Sequence, residues 1–166
     1  LFHSLGSDSK QLKYRPIAYY DSPYPSGNAI MCKNLYILGK YIGHTAWLDH
    51  AEKMVHQLKE KIQRAPTAFG GWLDAISHMT ERNIEIAIIG PQAEEWGRSL
   101  VHKILPDTVL MAQEHSDESY PLLDRHLPAN QTKLFLCENY SCRLPHDTME
   151  SFLEEFAKSN PILDDK

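Results

Sequence analysis

The feature that most constrains this chain is a change in the period of its apolar residues near residue 82. Before that point they recur at helical spacing: Ile30, Met31, Leu35, Leu38 and Ile42, then Trp47, Ala51, Met54, Val55, Leu58 and Ile62, then Phe69, Trp72, Leu73, Ile76 and Met79. Steps of three and four place such residues on one face of a helix. After it, Ile84-Glu85-Ile86-Ala87-Ile88-Ile89 is a β-branched run closed by Gly90-Pro91. That run reads as a strand buried on both faces towards its end. Two periods in one chain predict a helical-hairpin segment over 1–82 and a small α/β unit over 83–166.

Punctuation refines the first part. Pro23 and Pro25 hold the entry loop extended, and Ser26 sits where an N-cap belongs, so a first helix is expected over about 26–42. Gly43 breaks it, Thr45 caps the second helix and Pro66 ends that one. Gly70-Gly71 weakens the third helix by about 1 kcal/mol per Gly. Short joints make antiparallel neighbours the natural packing. In the second part, Trp96, Leu100, Val101 and Ile104 predict a helix, Thr108 to Ala112 a strand, Leu122-Leu123 a helical turn and Lys133 to Cys137 a third strand. Asp147 and Glu150 form a capping-box-like pair for a last helix that buries Phe152, Leu153 and Phe156. Alternation of this kind predicts a three-stranded, mainly parallel sheet.

Composition closes off several classes. The chain has 166 residues, 42% apolar and 23% charged, with 22 acidic against 17 basic side chains and a net charge of −5. Nucleic-acid binding needs clustered Lys and Arg, and no such cluster occurs, so no nucleic-acid partner is expected. No apolar run approaches the roughly 20 residues of a membrane span, so no membrane partner is expected either. Three cysteines, Cys32, Cys137 and Cys142, are too few and too odd in number for a disulfide-stapled secreted domain, which points to a reduced, cytoplasmic compartment. The Asn-x-Ser/Thr triplets at Asn130 and Asn139 read as chance. Leu1-Phe2-His3-Ser4 has neither an initiator Met nor a signal-peptide layout, so the chain is expected to be a piece of something longer.

Candidate sites are few. The loop Asp21 to Asn28 leaves backbone N–H groups at a helix N-terminus, where an anion or a hydroxyl-rich ligand would be welcome. Asp21 would accept hydrogen bonds from such hydroxyls; the same residues also suit a proline-stiffened connector with an ordinary serine cap. Cys137 and Cys142 are spaced Cys-x4-Cys, and a loop that folded back would bring them towards disulfide geometry. This is neither the Cys-x-x-Cys of thioredoxin-like sites nor more than half a zinc site, so the pair stands as structural or redox, and Cys32 as core. Nine histidines include no two that are three or four residues apart, and no metal is expected. Glu52, His56 and Glu60 share a helix face opposite the apolar stripe, the usual place for a solvated surface. With no P-loop, nucleotide fingerprint or nucleophile elbow, no cofactor is expected.

Asp21-Ser22-Pro23-Tyr24-Pro25-Ser26-Gly27-Asn28 before an apolar helix, together with Cys137-Glu138-Asn139-Tyr140-Ser141-Cys142-Arg143-Leu144-Pro145, resembles the C-terminal region of the thioredoxin-domain-containing proteins of the spermatogenesis-associated type. The resemblance implies a parent with a thioredoxin-like domain followed by an (α/α)6 toroid similar to six-hairpin glycosidases and N-acylglucosamine 2-epimerases. The three helices would then be the last hairpins of the toroid. On this reading the chain is non-catalytic by itself, and Asp21, Ser26 and Asn28 belong to a carbohydrate-binding rim. The alternative is a redox accessory role for Cys137 and Cys142 with the thioredoxin-like domain. The remainder of the parent polypeptide is the expected partner, and helices lacking their toroid neighbours would self-associate through exposed apolar faces.

Overall fold

A computed structural model describes residues 1–6, 15–80, 84–102, 108–125, 127–128 and 130–159. The chain forms two compact units, Leu1–Glu81 and Arg82–Lys166. Ile104, expected on the fourth helix, and residues 82–83 at the expected seam lie outside the described residues.

The first unit holds α1 (Gly27–Ile42), α2 (Thr45–Arg64), a 3-10 turn at Pro66–Ala68 and α3 (Gly70–Thr80). Ser26 is the N-cap of α1: its hydroxyl accepts the Ala29 N–H at 3.2 Å. Gly43 closes the helix in the left-handed conformation, φ 67°. The cap expected at Thr45 is displaced by one residue. His44 takes the N-cap position without a side-chain bond, and Thr45 is already helical.

The core of this unit joins Cys32 and Tyr36 of α1, Met54, Leu58 and Ile62 of α2, Phe69, and Trp72 of α3. The α2 and α3 stripes therefore face inward much as their spacing predicts, except that Leu73, expected on the inner face of α3, is exposed. On α1 the face differs. Ala29, Cys32, Tyr36 and Gly39 point inward, while Ile30, Met31, Leu38 and Ile42 are exposed. Small residues let the helices approach: a Cβ at Gly39 would stand 2.8 Å from the Leu48 side chain.

The second unit is a sheet of order β2-β1-β3-β4, with β1 (Ile84–Ile89), β2 (Thr108–Gln113), β3 (Lys133–Glu138) and β4 (Ser141–Cys142). Only β1 and β2 run parallel, joined through α4 (Ala93–Val101). β3 lies on the other edge of β1 and is antiparallel to it, and β4 extends β3 as a hairpin. The sheet is thus four-stranded and mixed, against the expected three mainly parallel strands. A parallel neighbour needs a crossover element, and the polar stretch before β3 supplies turns in place of a helix.

Alternation along the strands gives the sheet two apolar faces. Ile86, Ile88, Leu134 and Leu136 pack with α4 and with Phe152 and Phe156 of α5 (Met149–Ser159). Ala87, Ile89, Phe135 and Cys137 pack under Leu122 and Leu123. At the start of α5, Thr148 does the capping: its hydroxyl accepts the Ser151 N–H. Asp147, expected to cap, is paired with Lys133 instead.

Candidate functional site

The entry loop is tied down by its own polar groups. Asp21 Oδ1 accepts the Ser26 N–H at 2.7 Å and Oδ2 accepts the Gly71 N–H at 2.7 Å, so one carboxylate serves the N-termini of two helices. Such a charge is favourable at both places. Asn28 is buried; its Oδ1 accepts the Phe2 N–H, and its Nδ2 donates to the carbonyls of Phe2 and Ala18. Ser26 is buried as well. Trp72 Nε1 donates to the Tyr19 carbonyl at 2.8 Å, closing the loop onto α3. The structure thus brings Asp21, Ser26 and Asn28 together, and the bonds they make there run to the chain itself.

The cysteine pair lies in the other unit, in a different setting. β3 turns into β4 through Asn139 and Tyr140, both with positive φ (50° and 61°). Two successive left-handed residues are the geometry of a type I′ hairpin, whose twist matches that of the strands. Cys137 and Cys142 become register partners across the ladder and are joined by a disulfide. Tyr140 carries a side chain in a conformation that glycine adopts freely, at a cost of about 1–2 kcal/mol. Its N–H is held by Glu85 Oε2 at 2.6 Å. Glu85 is a buried carboxylate in the middle of an apolar sheet, and it is the register partner of Cys137 on β1.

Arg125 completes the site. Its Nη2 donates to Cys142 Sγ at 2.7 Å, and its guanidinium lies 4.8 Å from the Phe135 ring centroid. Its backbone N–H donates to the Leu123 carbonyl and the Ser116 hydroxyl, which fixes where the side chain starts. Nε of Arg125 is buried with no hydrogen-bond partner among the described residues. Cys137 is buried, at 2% exposed, and Cys142 is half-buried. A cleft of about 350 Å³ opens beside the pair, lined by residues that include Glu138, Asn139, Ser141 and Arg143. Two cysteines of unequal exposure, with a cation on the more exposed one, are an arrangement suited to thiol–disulfide exchange.

A second polar cluster flanks the cleft. Arg143 Nη1 donates to Glu155 Oε1 at 2.8 Å and to the Ser159 hydroxyl. That hydrogen bond, more than the nearby His146, holds the Glu155 carboxyl below the usual carboxylate range. His146 Nε2 stands 3.0 Å from Glu155 Oε2 without hydrogen-bond alignment, and its Nδ1 is 3.2 Å from Ser151 Oγ. The Ser151 hydroxyl donates to the Thr148 carbonyl, so it belongs to the helix cap and is not poised as a nucleophile. Among the described residues no group of three or more His, Cys, Asp or Glu side chains is arranged to hold a metal, and no helix is long and apolar enough to cross a membrane.

Comparison with known proteins points one way. The chain is 27% identical over 137 residues to spermatogenesis-associated protein 20 of Homo sapiens and 28% identical over 137 residues to the Mus musculus protein of the same name. Each match covers 75% of this chain. The chain is a distant homologue of a segment of that protein. It spans 17% of the length of these curated relatives. No family model and no solved structure matches the chain.

The cysteine pair is marked in the sequence by its spacing, whereas the roles of Glu85, Tyr140 and Arg125 appear only in the folded chain. Glu85 did carry a signal, as a charge inside a β-branched run. Arg125 carried none: it reaches Cys142 from a loop 17 residues away in sequence.

Proposed function

We propose that this chain is a segment of a larger protein related to spermatogenesis-associated protein 20, that it is not a catalytic centre by itself, and that its own chemistry is thiol–disulfide exchange at Cys137 and Cys142. One observation carries this reading: the pair is closed across a two-residue turn, and its half-buried member, Cys142, accepts a hydrogen bond from the Arg125 guanidinium. A thioredoxin-like domain elsewhere in the parent would be the partner. The test is equilibration of the native chain with a series of reduced-to-oxidised glutathione ratios, followed by acid quench, alkylation and mass spectrometry. The pair should pass from disulfide to dithiol as a unit across the series. A pair locked in one state at every ratio sinks the reading.

The carbohydrate reading belongs to the parent, as part of a sugar-handling toroid with Asp21, Ser26 and Asn28 on its rim. Its support is the family resemblance. A sugar would have to displace the internal bonds of Asp21 and Asn28, so the thiol pair is the better-supported site. Titrating the full-length parent with mono- and disaccharides tests it; signals from the loop that stay still count against it.

A further inference from the structure

Resting on the exchange reading above, we infer that the two sulfurs are not equivalent: Cys142 is the one that exchanges with a partner dithiol, and Arg125 is the residue that makes it do so. Access comes first. Both cysteines belong to the face covered by Leu122 and Leu123, but Cys137 is buried at 2% exposed, whereas Cys142, at the hairpin end, is half-buried. Charge comes second. Arg125 Nη2 is 2.7 Å from Cys142 Sγ, and the guanidinium is held there by its stack on Phe135 and by the anchored backbone of its own loop. A fixed cation beside a thiolate favours the ionised, reactive form. Cys137 has Glu85 as its register partner across the ladder, an acidic neighbour in place of a basic one.

The steps balance as follows. A thiolate of the partner dithiol attacks Cys142 Sγ; the Cys137–Cys142 bond breaks, and its electron pair leaves on Cys137 Sγ, which takes a proton from water. The partner's second thiolate then attacks the partner sulfur of the mixed disulfide, and Cys142 departs as a thiolate onto Arg125. The partner dithiol becomes a disulfide, and this chain gains the two electrons. Run in reverse, the Cys142 thiolate opens a partner disulfide and Cys137 resolves the mixed species. Because Arg125 stabilises the reduced form, it also shifts the equilibrium towards the dithiol.

The experiment uses the full chain, reduced with dithiothreitol and desalted. Iodoacetamide alkylation is followed from pH 5 to 10, with each cysteine assigned by mass spectrometry. Cys142 should be labelled well before Cys137 in the unmodified chain, a result that needs no variant. In Arg125→Gln the Cys142 rate at neutral pH should fall roughly tenfold, its midpoint should rise by about one pH unit, and the pair should need a several-fold more reducing glutathione ratio to open. Arg125→Lys, which keeps the charge, should retain most of the rate, and it covers the case in which the Gln variant does not fold. Labelling of Cys137 first, or a Cys142 profile identical in the folded Gln variant, overturns the inference. Exchange with glutathione would then still stand as the function. A pair that never opens at any ratio overturns the function itself, so the two failures are distinguishable.

Discussion

At the scale of single residues, the polar groups of the entry loop are heavily used. Asp21 is the clearest case: without its carboxylate, the N–H groups of Ser26 and Gly71 lose their acceptor together. Asp21→Ala should therefore lower stability by about 2–3 kcal/mol, read as a shift of the urea midpoint. A loss no larger than that of an exposed Asp would remove the structural role. Gly71 explains why a helix tolerates Gly-Gly at its start: a Cβ there would stand 2.8 Å from Pro25 Cβ and 3.2 Å from Ala29 Cβ. Cys32 is fully buried, and desolvation pushes its thiol up from 9.0 to about 11. The folded state thus holds this proton more tightly than the unfolded one. The associated stability is complete below pH 9 and is lost as pH rises towards 11, at up to about 1.4 kcal/mol per pH unit. Native Cys32 should accordingly resist iodoacetamide at pH 8.5 and react promptly in urea, which also keeps it out of the thiol counts for the other two cysteines.

At the scale of elements, helices were legible because their period is local, and the sheet was less so because pairing is not. Nothing between Gln113 and Thr132 announces which edge of β1 the third strand will take, and the described residues there form turns, after which β3 runs antiparallel to β1. The hairpin was hidden for another reason. Its turn is Asn139-Tyr140, which lacks the glycine that usually marks a type I′ turn. Tertiary contacts override local preference here, the Tyr140 N–H to Glu85 bond and the disulfide among them. Glu85→Gln keeps a carbonyl acceptor for Tyr140 and should cost less than Glu85→Ala, which leaves that N–H without its acceptor. The difference should be about 1–3 kcal/mol by denaturant titration of the oxidised chain. Equal losses in the two variants would mean that the carboxylate does not hold the turn.

At the scale of the whole molecule, the candidate sites divide in kind. The loop residues Asp21, Ser26 and Asn28 were visible as a polar cluster at a helix N-terminus, but only the folded chain shows that they bond to Gly71, Ala29, Phe2 and Ala18. The cysteine pair was visible by spacing, whereas the Arg125 guanidinium that bonds to Cys142, on which the exchange proposal rests, shows only in the folded chain. The α1 stripe poses the remaining question. Its apolar residues keep helical period, but Met31, Leu38 and Ile42 face solvent, with Leu38 50% exposed, because Ala29, Cys32 and Gly39 take the inward positions. A row of large apolar side chains along one helix face is an unusual use of surface. If that face is an interface, this chain should self-associate in sedimentation-velocity runs, with the fraction of larger species rising with loading concentration. Burying a Leu or Ile side chain contributes about 1.5–3 kcal/mol, so the double variant Leu38→Lys and Ile42→Lys should weaken association by roughly tenfold or more. Neither side chain is in the core of its unit, so the melting temperature should stay close to that of the unmodified chain. A chain that sediments as a monomer at every concentration, or a double variant that associates as before, removes this face from consideration as a self-association surface.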